Sequence, residues 1–341
     1  MVRLYLRNWR CIEEVEISLE PVTILIGRNS TGKSSLAYAP YFLNKVVEWR
    51  DANRVAMQLY GVQLDGIVRS ARGKKFYPLV VETGEARLEA RSVDDVAIPE
   101  SSPWSGGYLL PSQRLAFARI SQFISKLSRE VVGKYPETKM LLVFASSIFE
   151  ILKTMPTIPP MYPFLEDLTR LYRGRGFSER RELSDAGILV EEIAPLLSLI
   201  VYEYVDPFTE LRLPLDLAPD GFADSALVET FAKKAPENSL LVIEEPEIHK
   251  NPILVVDLVK RLAQRAVERG LTLVMTTHSD IVVQALAKAV EERVIKPGQV
   301  AVYYLERSRE SPWTRARRLE VYEDGTVEEL PDVEKVVSML F

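Results

Sequence analysis

Apolar and polar positions in the first 47 residues form a pattern that predicts three strands followed by a helix. The strands are predicted at residues 2–6, 12–19 and 22–26. The third is a continuous run of apolar, partly β-branched residues that stops at Gly27, which is typical of a buried strand entering a turn. From Lys33 to about Val47 the pattern favours a helix, with a kink at Pro40.

The end of the chain shows the same alternation of strands and helices. Strands are predicted at residues 239–243, 271–276, 300–306 and 317–322, and helices at residues 252–269 and 281–292. Parallel strands require crossover connections, which are usually helices, so this alternation favours an α/β architecture. We therefore expect residues 1–47 and 236–341 to form one nucleotide-binding core.

The middle of the chain, residues 48–235, has a different pattern and is predicted to be an inserted, mainly helical lobe. A hairpin is expected at residues 77–82 and 86–91, and helices at residues 112–132, 138–153 and 189–204. This region holds 13 of the 21 prolines, and proline interrupts helices. Long coiled-coil arms are therefore excluded.

Composition narrows the class of protein further. The chain has 43 Lys and Arg residues against 48 Asp and Glu residues, a net charge of −5, which excludes a globally basic coat for nucleic acid. A single cysteine, Cys11, cannot form an intramolecular disulfide. The N-terminus has no signal-peptide pattern, and no apolar run approaches the ~18 residues of a membrane span. We expect a cytoplasmic protein without a membrane partner.

Residues 27–34 satisfy the phosphate-loop pattern G-x-x-x-x-G-K-[ST], between a predicted strand and a predicted helix. Backbone N–H groups of such a loop point at phosphate oxygens. Lys33 is expected to neutralise β/γ-phosphate charge, and the Ser34 hydroxyl to bind Mg²⁺. The predicted nucleotide contacts are Gly27, Arg28, Asn29, Ser30, Thr31, Gly32, Lys33, Ser34 and Ser35.

Carboxylates and a histidine follow two further strands of the predicted core. Glu244 and Glu245 end one strand, where open α/β sheets bind ligands. Glu244 is expected to hold Mg²⁺, and Glu245 to act as general base or to position the attacking water. His278 follows the next strand and is expected to hydrogen-bond the γ-phosphate. The predicted catalytic residues are thus Lys33, Glu245 and His278.

Together these motifs resemble the ABC-type ATPase branch that includes SMC, RecF and OLD-family proteins, and especially its stand-alone AAA or SMC-like relatives. Residues 6–10 are similar to the family's N-F-R start, and residues 108–114 to its Y-L-P-A-x-R segment. Residues 244–252 and 276–280 complete the similarity in family order. It departs at Glu244, where aspartate is commoner, and at residues 249–252, where H-L-H-P is usual. The implied fold is α/β, a P-loop NTPase core of ABC-ATPase type with the inserted lobe.

The resemblance also implies a signature motif that contacts the γ-phosphate of ATP bound to a partner subunit. The first candidate is Ser184, Asp185, Ala186 and Gly187, expected to precede a helix containing residues 192–196. The alternative is residues 219–222, which lie nearer to Glu244 in sequence. A glutamine loop is also implied, for which Gln113, Gln58 and Gln63 are the candidates. By position alone, Arg10 is expected near adenine.

The implied function is slow hydrolysis of ATP with Mg²⁺, in a homodimer that closes around two nucleotides. One hypothesis is DNA handling or repair, through a basic run interleaved with Tyr172 and Phe177. That run comprises Arg170, Arg173, Arg175, Arg180 and Arg181. The alternative is a nucleotide switch in a defence or toxin–antitoxin system that acts through a protein partner. Only 63 residues follow His278, too few for a fused nuclease, so any nuclease would be a separate partner.

Overall fold

The chain begins with strands that lead directly into the phosphate loop. The computed structural model describes residues 1–119, 159–172, 181–183, 188–194, 199–205, 209–214 and 217–331. Its first elements are β1 (Val2–Trp9), β2 (Ile12–Leu19), β3 (Val22–Gly27) and α1 (Lys33–Trp49). Every residue of β3 is buried, and α1 continues through Pro40. The three strands and the helix expected of this segment are confirmed.

A five-stranded antiparallel sheet forms the first layer. After α2 (Ala52–Tyr60) and α3 (Leu64–Ile67) come the short paired strands β4 (Ser70–Ala71) and β5 (Lys74–Lys75). The next strands are β6 (Leu79–Thr83), β7 (Ala86–Ala90) and β8 (Val96–Ala97). The sheet has the order β2-β1-β6-β7-β8, and its β6–β7 pair is the predicted hairpin.

A six-stranded sheet forms the second layer. Its strands after β3 are β9 (Gly107–Leu110), β14 (Leu240–Glu244), β15 (Thr272–Thr277), β16 (Val300–Glu306) and β17 (Arg315–Leu319). The sheet has the order β17-β16-β3-β15-β14-β9. All run parallel except β17 at one edge. The crossover helices α6 (Pro252–Glu268) and α7 (Asp280–Glu291) agree with the predicted ones. The carboxyl ends of β3, β14 and β15 therefore meet at one edge of the sheet.

Two apolar cores lie on opposite faces of the six-stranded sheet. One contains α1, the buried face of the antiparallel sheet, and residues such as Leu25 and Val242. The other contains Ile24 and Ile243, which alternate with them along the same strands, and the helices on the outer face. These include α5 (Asp220–Lys234), α6 and α7. The phosphate-loop helix α1 is thus held between two sheets.

The middle of the chain contains more β-structure than the sequence predicted. Helix α4 (Met161–Tyr172) is followed by the strands β10 (Arg181–Leu183), β11 (Ile188–Ala194), β12 (Leu199–Val205) and β13 (Arg212–Pro214). They form an antiparallel sheet in that order. The helix expected at residues 189–204 is therefore wrong. β-Branched and aromatic residues favour strands in this run, and Pro195, which disfavours a continuous helix, falls between β11 and β12.

Strands from the predicted lobe also pair with strands from the ends of the chain. β6 pairs with β1, and β9 pairs with β14. The boundaries at residues 47 and 236 stay predictions. Of the helices expected at residues 112–132 and 138–153, residues 114–119 are helical, and all positions from 120 to 158 lie outside the described residues. No helix in the described part of the chain has the length and apolar character needed to cross a membrane.

Candidate active site

A cavity of about 580 Å³ opens beside the phosphate loop. Its lining comes from the loop and the start of α1, from the ends of β14 and β15, and from polar, aromatic and apolar residues of other segments. The first two groups supply Lys33, Ser34, Glu245 and His278. The parallel sheet thus brings residues more than 200 positions apart to one cavity, as the sequence predicted from strand ends.

The phosphate loop has a backbone that only certain residues tolerate. Gly32 has a φ of 97°, and a Cβ atom there would lie 2.4 Å from Oγ1 of Thr314. Ser30 also has a positive φ, of 64°. Thr31 donates from Oγ1 to the carbonyl of Arg28 at 2.9 Å, while Thr314 donates to the carbonyl of Thr31 at 2.9 Å. The glycine is therefore required both by conformation and by the close approach of Thr314.

The side chain of Lys33 is buried against the loop that precedes it. Nζ donates to the carbonyl oxygens of Gly27 at 2.7 Å and Arg28 at 2.8 Å. Burial lowers its pKa to about 8, although the nearby carboxylates, led by Glu245, oppose that shift. The two hydrogen bonds to the loop carbonyls thus hold the ammonium group against the phosphate loop.

Lys33, His278 and Glu245 form a continuous line of side chains in the cavity. Nζ of Lys33 lies 3.2 Å from Nδ1 of His278, and Nε2 of the same ring lies 3.2 Å from Oε1 of Glu245. The backbone of Glu245 has a φ of 45°, and its N–H donates to the carbonyl of Thr276 at 2.8 Å. The three residues predicted to be catalytic are therefore brought into direct contact.

Glu247, which the sequence analysis passed over, orients the segment that carries the histidine. Its Oε1 accepts a hydrogen bond from Oγ1 of Thr277 at 2.6 Å and another from the backbone N–H of His278 at 3.1 Å. The signal was present in the sequence, since Glu247 belongs to the same acidic run as Glu245. The sequence alone could not show that Glu247 contacts Thr277 and His278 at the end of β15.

Glu244 lies next to the cavity but is almost fully buried. Its Oε2 accepts hydrogen bonds from the hydroxyl of Tyr38 at 2.7 Å and from the backbone N–H of Ser112 at 3.2 Å. Burial, reinforced by the charge of Glu244, raises the pKa of Tyr38 well above its ordinary value, so the phenol remains a donor. Ser34, the other predicted Mg²⁺ ligand, is exposed and lines the cavity four residues before Tyr38 in α1. That spacing places both on one face of the helix.

Arg114 is fully buried behind the two acidic residues and was given no role by the sequence analysis. Its guanidinium donates to the carbonyls of Glu244 at 2.5 Å and Glu245 at 3.1 Å. It also forms an ion pair with Asp224 at 2.7 Å. A buried cation that spans two consecutive carbonyls fixes the path of the backbone at the end of β14.

Aromatic and apolar side chains also line the cavity. They are Tyr60, Val62, Val68 and Trp313, and Arg10 is another lining residue. The guanidinium of Arg10 lies over the ring of Tyr60, 4.3 Å from its centroid. Arg10, expected near adenine, therefore lies in the same cavity as Lys33.

Trp313 belongs to the connection between β16 and β17 and was not singled out from the sequence. Its ring lies 4.6 Å from the guanidinium carbon of Arg69, whose guanidinium also lies 4.0 Å from the ring centroid of Phe76. In the same connection, Arg307 lines the cavity and donates to the carbonyl of Ser30 at 3.0 Å. A segment that reaches the phosphate loop only through tertiary contacts thus forms one wall of the site.

The other predicted nucleotide contacts and the first signature candidate lie in different parts of the chain. Arg28 and Asn29 are exposed, and Ser35 is buried, its carbonyl accepting from Nε1 of Trp9 at 2.7 Å. The signature candidate Ser184, Asp185, Ala186 and Gly187 lies outside the described residues. The helix expected after it is wrong, because Ile188–Ala194 is the strand β11.

The alternative signature, residues 219–222, lies at the start of α5. There a Cβ atom on Gly221 would lie 2.6 Å from the carbonyl oxygen of His249, so close packing already accounts for this glycine. Among the glutamine candidates, Gln113 follows Ser112, the residue that donates to Glu244. Gln58 lies in α2, and Gln63 precedes α3.

Only part of the predicted basic run is described. Arg173, Arg175, Arg180 and Phe177 lie outside the described residues. Arg170 forms ion pairs with Asp167 at 3.0 Å and Glu48 at 2.9 Å, and its guanidinium lies over Tyr108. These contacts attach α4 to α1 and β9, so this arginine is engaged within the protein.

Comparisons with known proteins agree with the geometry. Residues 1–73 match the family model of the AAA ATPase domain. The fold is similar to that of an Smc head bound to the C-winged helix domain of ScpA, with 13% identity and a TM-score of 0.54. That alignment covers 94% of this chain and 98% of the other. No curated protein matches the sequence. The expected P-loop NTPase fold is confirmed, and its similarity to the fold of an Smc head agrees with the resemblance seen in the sequence.

Two further solved structures are similar over nearly their whole length. The SMC head domain from Thermotoga maritima is 11% identical, with a TM-score of 0.45 and coverage of 94% of this chain and 98% of that one. An Smc head domain with an extended coiled coil, bound to the C-terminal domain of ScpA derived from Pyrococcus furiosus, is 12% identical. Its TM-score is 0.49, and the coverage is 100% of this chain and 99% of that one.

Proposed function

We propose that this protein binds ATP together with Mg²⁺ and hydrolyses it slowly. The observation that supports this most directly is the line from Lys33 through His278 to Glu245, with distances of 3.2 Å at both steps, beside the phosphate loop. Lysine and histidine suit the charge of a γ-phosphate, whereas a carboxylate suits the activation of water. Hydrolysis, rather than transfer to a second substrate, uses all three.

The loop fits a triphosphate with its cation. Gly32 gives the loop its positive φ of 97°, and both Gly32 and Ser34 line the cavity. Mg²⁺ would be held by Ser34 and Glu244, and when bound it would neutralise charge on the β- and γ-phosphate oxygens. Within the described residues no three His, Cys, Asp or Glu side chains form a metal cluster, so the nucleotide's own oxygens would complete the coordination.

The aromatic residues that line the cavity, Tyr60 and Trp313, would bind the base of the nucleotide. The ring of Trp313 would stack on the base, and the guanidinium of Arg69 packs against this ring. Arg10 and Tyr60 form a second planar group in the same cavity. Every base has a π-face, so stacking of this kind provides affinity without reading the base edge.

We further propose that ATP closes a homodimer, with Ser184–Gly187 or residues 219–222 contacting the partner's nucleotide. One Smc head of similar fold is described as bound to the C-winged helix domain of ScpA, which supports a protein partner for this chain. DNA handling is the role proposed first, and a switch acting on a separate protein, such as a nuclease or a toxin–antitoxin component, is the second.

Two variants test the enzymatic proposal. Lys33→Ala is expected to abolish nucleotide binding, measured by calorimetry, and affinity like that of the wild type would refute the assignment of the loop. Glu245→Gln is expected to bind ATP but to lose roughly 10²–10⁴-fold in turnover. Normal turnover in this variant would remove Glu245 from the mechanism.

The mass of Glu245→Gln in solution tests the assembly and its role. With ATP and Mg²⁺ we expect a dimer that is absent without nucleotide. Stabilisation of that dimer by a DNA duplex would support DNA handling, whereas a dimer indifferent to DNA would favour the protein-partner switch. A monomer under all conditions would contradict the proposed dimerisation.

A further inference from the structure

We propose that Arg114 is a positioning residue that acts through Glu245, by holding the backbone of the proposed general base in its left-handed conformation. The inference rests on the proposed ATPase function and extends it to a residue outside the cavity. Arg114 is 0% exposed. Its guanidinium contacts Pro111, Glu244, Glu245 and Asp224.

The guanidinium joins the segment after β9 to the end of β14. Nη1 donates to the carbonyls of Pro111 at 3.1 Å and Glu244 at 2.5 Å, while Nη2 donates to the carbonyl of Glu245 at 3.1 Å. Its fork geometry suits it to bridge consecutive carbonyls. Lysine carries the same charge but lacks that planar fork, so it cannot reproduce the bridge.

The backbone of Glu245 needs such support. Its φ of 45° is a conformation that residues other than glycine, asparagine and aspartate adopt rarely. The N–H of Glu245 is held by the carbonyl of Thr276, and its carbonyl is held by Arg114. Because both sides of the residue are fixed, the carboxylate is directed at Nε2 of His278. The strained conformation is thus fixed where the chemistry is proposed.

Asp224 and Lys250 keep the guanidinium in place. Asp224 lies in α5 and forms ion pairs with Arg114 and Lys250, with all three side chains inaccessible to solvent. Burial opposes the charge of Asp224, but the attraction of the two cations outweighs it and lowers the pKa of the carboxylate. The carboxylate of Asp224 therefore remains ionised, and its ion pairs connect α5 to the segment that follows Glu245.

The test is a double-mutant cycle on ATP turnover with the full chain. Arg114→Lys keeps a cation for Asp224 but removes the bridge between carbonyls. We expect its kcat to fall at least tenfold, and up to about 10²-fold, as for a small misplacement of a reacting group. The Kd for ATP is expected to be unchanged, because the phosphate loop does not contact Arg114.

Epistasis separates positioning from a general structural role. If Arg114 acts through Glu245, Arg114→Lys in the Glu245→Gln background should change turnover by less than about twofold. Equal losses in both backgrounds, or an unchanged kcat in the single variant, would overturn the inference. The matched control is Arg261→Lys, which weakens the ion pair of Arg261 with the buried Glu229 on the outer helices and should leave kcat unchanged.

A second variant tests the same inference if Arg114→Lys folds poorly. Asp224→Asn retains an acceptor for Arg114 but not its charge, and a smaller fall in kcat at constant Kd is expected; unchanged kcat would count against the inference. Failure of the proposed function looks different. In that case the wild type would not hydrolyse ATP, or Glu245→Gln would turn over normally, whatever happens at Arg114.

Discussion

Nε2 of His278 lies 3.2 Å from Oε1 of Glu245, while Nδ1 of the same ring lies 3.2 Å from Nζ of Lys33. One tautomer satisfies both contacts: a neutral ring with its proton on Nε2 donates to the carboxylate and accepts from the ammonium group. The imidazole thus links the residue proposed to bind phosphate to the residue proposed to activate water.

Replacing His278 should therefore slow hydrolysis with little effect on binding. For His278→Ala we expect kcat to fall roughly 10²-fold, comparable with the loss of one donor to a developing charge. The Kd for ATP should change little, because the loop itself remains. Steady-state kinetics and calorimetry measure the two quantities. His249→Ala is the control, since that ring is largely exposed and lies 3.9 Å from Asp220. Equal effects of the two substitutions would contradict the assignment.

Binding of ATP should take up a proton above about pH 8. The pKa of Lys33 is lowered to about 8 in the absence of nucleotide, and a bound anion favours the charged form and raises it. Affinity should consequently fall as the pH rises above 8. Calorimetry at about pH 8.5 in buffers of different ionisation enthalpy would measure the proton. Lys33→Arg, which stays charged, should show no uptake, and its absence in the wild type would contradict the lowered pKa.

Through Lys33, the stability of the protein without nucleotide should increase with pH, whereas the affinity for ATP should fall. The unfolded chain, in which the lysine has its ordinary pKa of 10.5, binds the proton more tightly than the folded protein does. The contribution of Lys33 to the free energy of unfolding should therefore increase between pH 8 and 10.5. Denaturant unfolding of the wild type and of Lys33→Met across this range would measure the difference. A difference that stays constant would contradict the prediction.

Trp313 should contribute to the affinity for the base alone. Stacking of a base on an aromatic ring is worth about 1–3 kcal/mol, so Trp313→Ala should weaken ATP binding roughly 5- to 150-fold. The Kd for inorganic tripolyphosphate, which has no base, should not change, and Trp313→Phe should retain most of the affinity for ATP. Parallel calorimetric titrations would test this. Equal weakening of both ligands would show that Trp313 supports the loop and does not contact the base.

Tyr38→Phe should destabilise the protein and raise the Mg²⁺ concentration needed for half-maximal turnover. The hydroxyl donates to the buried carboxylate of Glu244, and a hydrogen bond to a charged group contributes about 1.5–3 kcal/mol. Denaturant unfolding and Mg²⁺ titration of turnover would measure the two effects. Tyr5→Phe removes a bond of the same length to Glu14 at an exposed position, so its cost should stay below about 0.5 kcal/mol. Equal costs would contradict the role of burial.

Much of the site follows from short segments of sequence. The phosphate loop, the two acids after β14 and the histidine after β15 each occupy a few consecutive residues at a strand end. Parallel strands bring such ends together whatever the lengths of the connections between them. The pattern could therefore predict that Lys33, Glu245 and His278 would meet. It could equally predict the strand bounds of β3 and β14, because burial on both faces requires an uninterrupted apolar run.

The middle of the chain shows where this reasoning fails. The apolar run at residues 188–205 fits a helix or a pair of strands almost equally well by periodicity. Its pairing with residues 181–183 and 212–214 decides for strands. Likewise, strands from residues 79–110 join sheets formed by the ends of the chain, a partnership for which the local sequence contains no signal.

The sequence by itself determined the proposed chemistry of this protein, because the groups proposed to bind phosphate and activate water are encoded in local motifs with fixed spacing. The tertiary structure alone decided what supports that chemistry. Tyr38 donates to Glu244, Arg114 donates to the carbonyl of Glu245, and Thr314 donates to the carbonyl of Thr31. The two residues of each pair are separated by 131 to 283 positions in the sequence. Such contacts depend on which elements pack together, and packing is settled by the burial of whole faces.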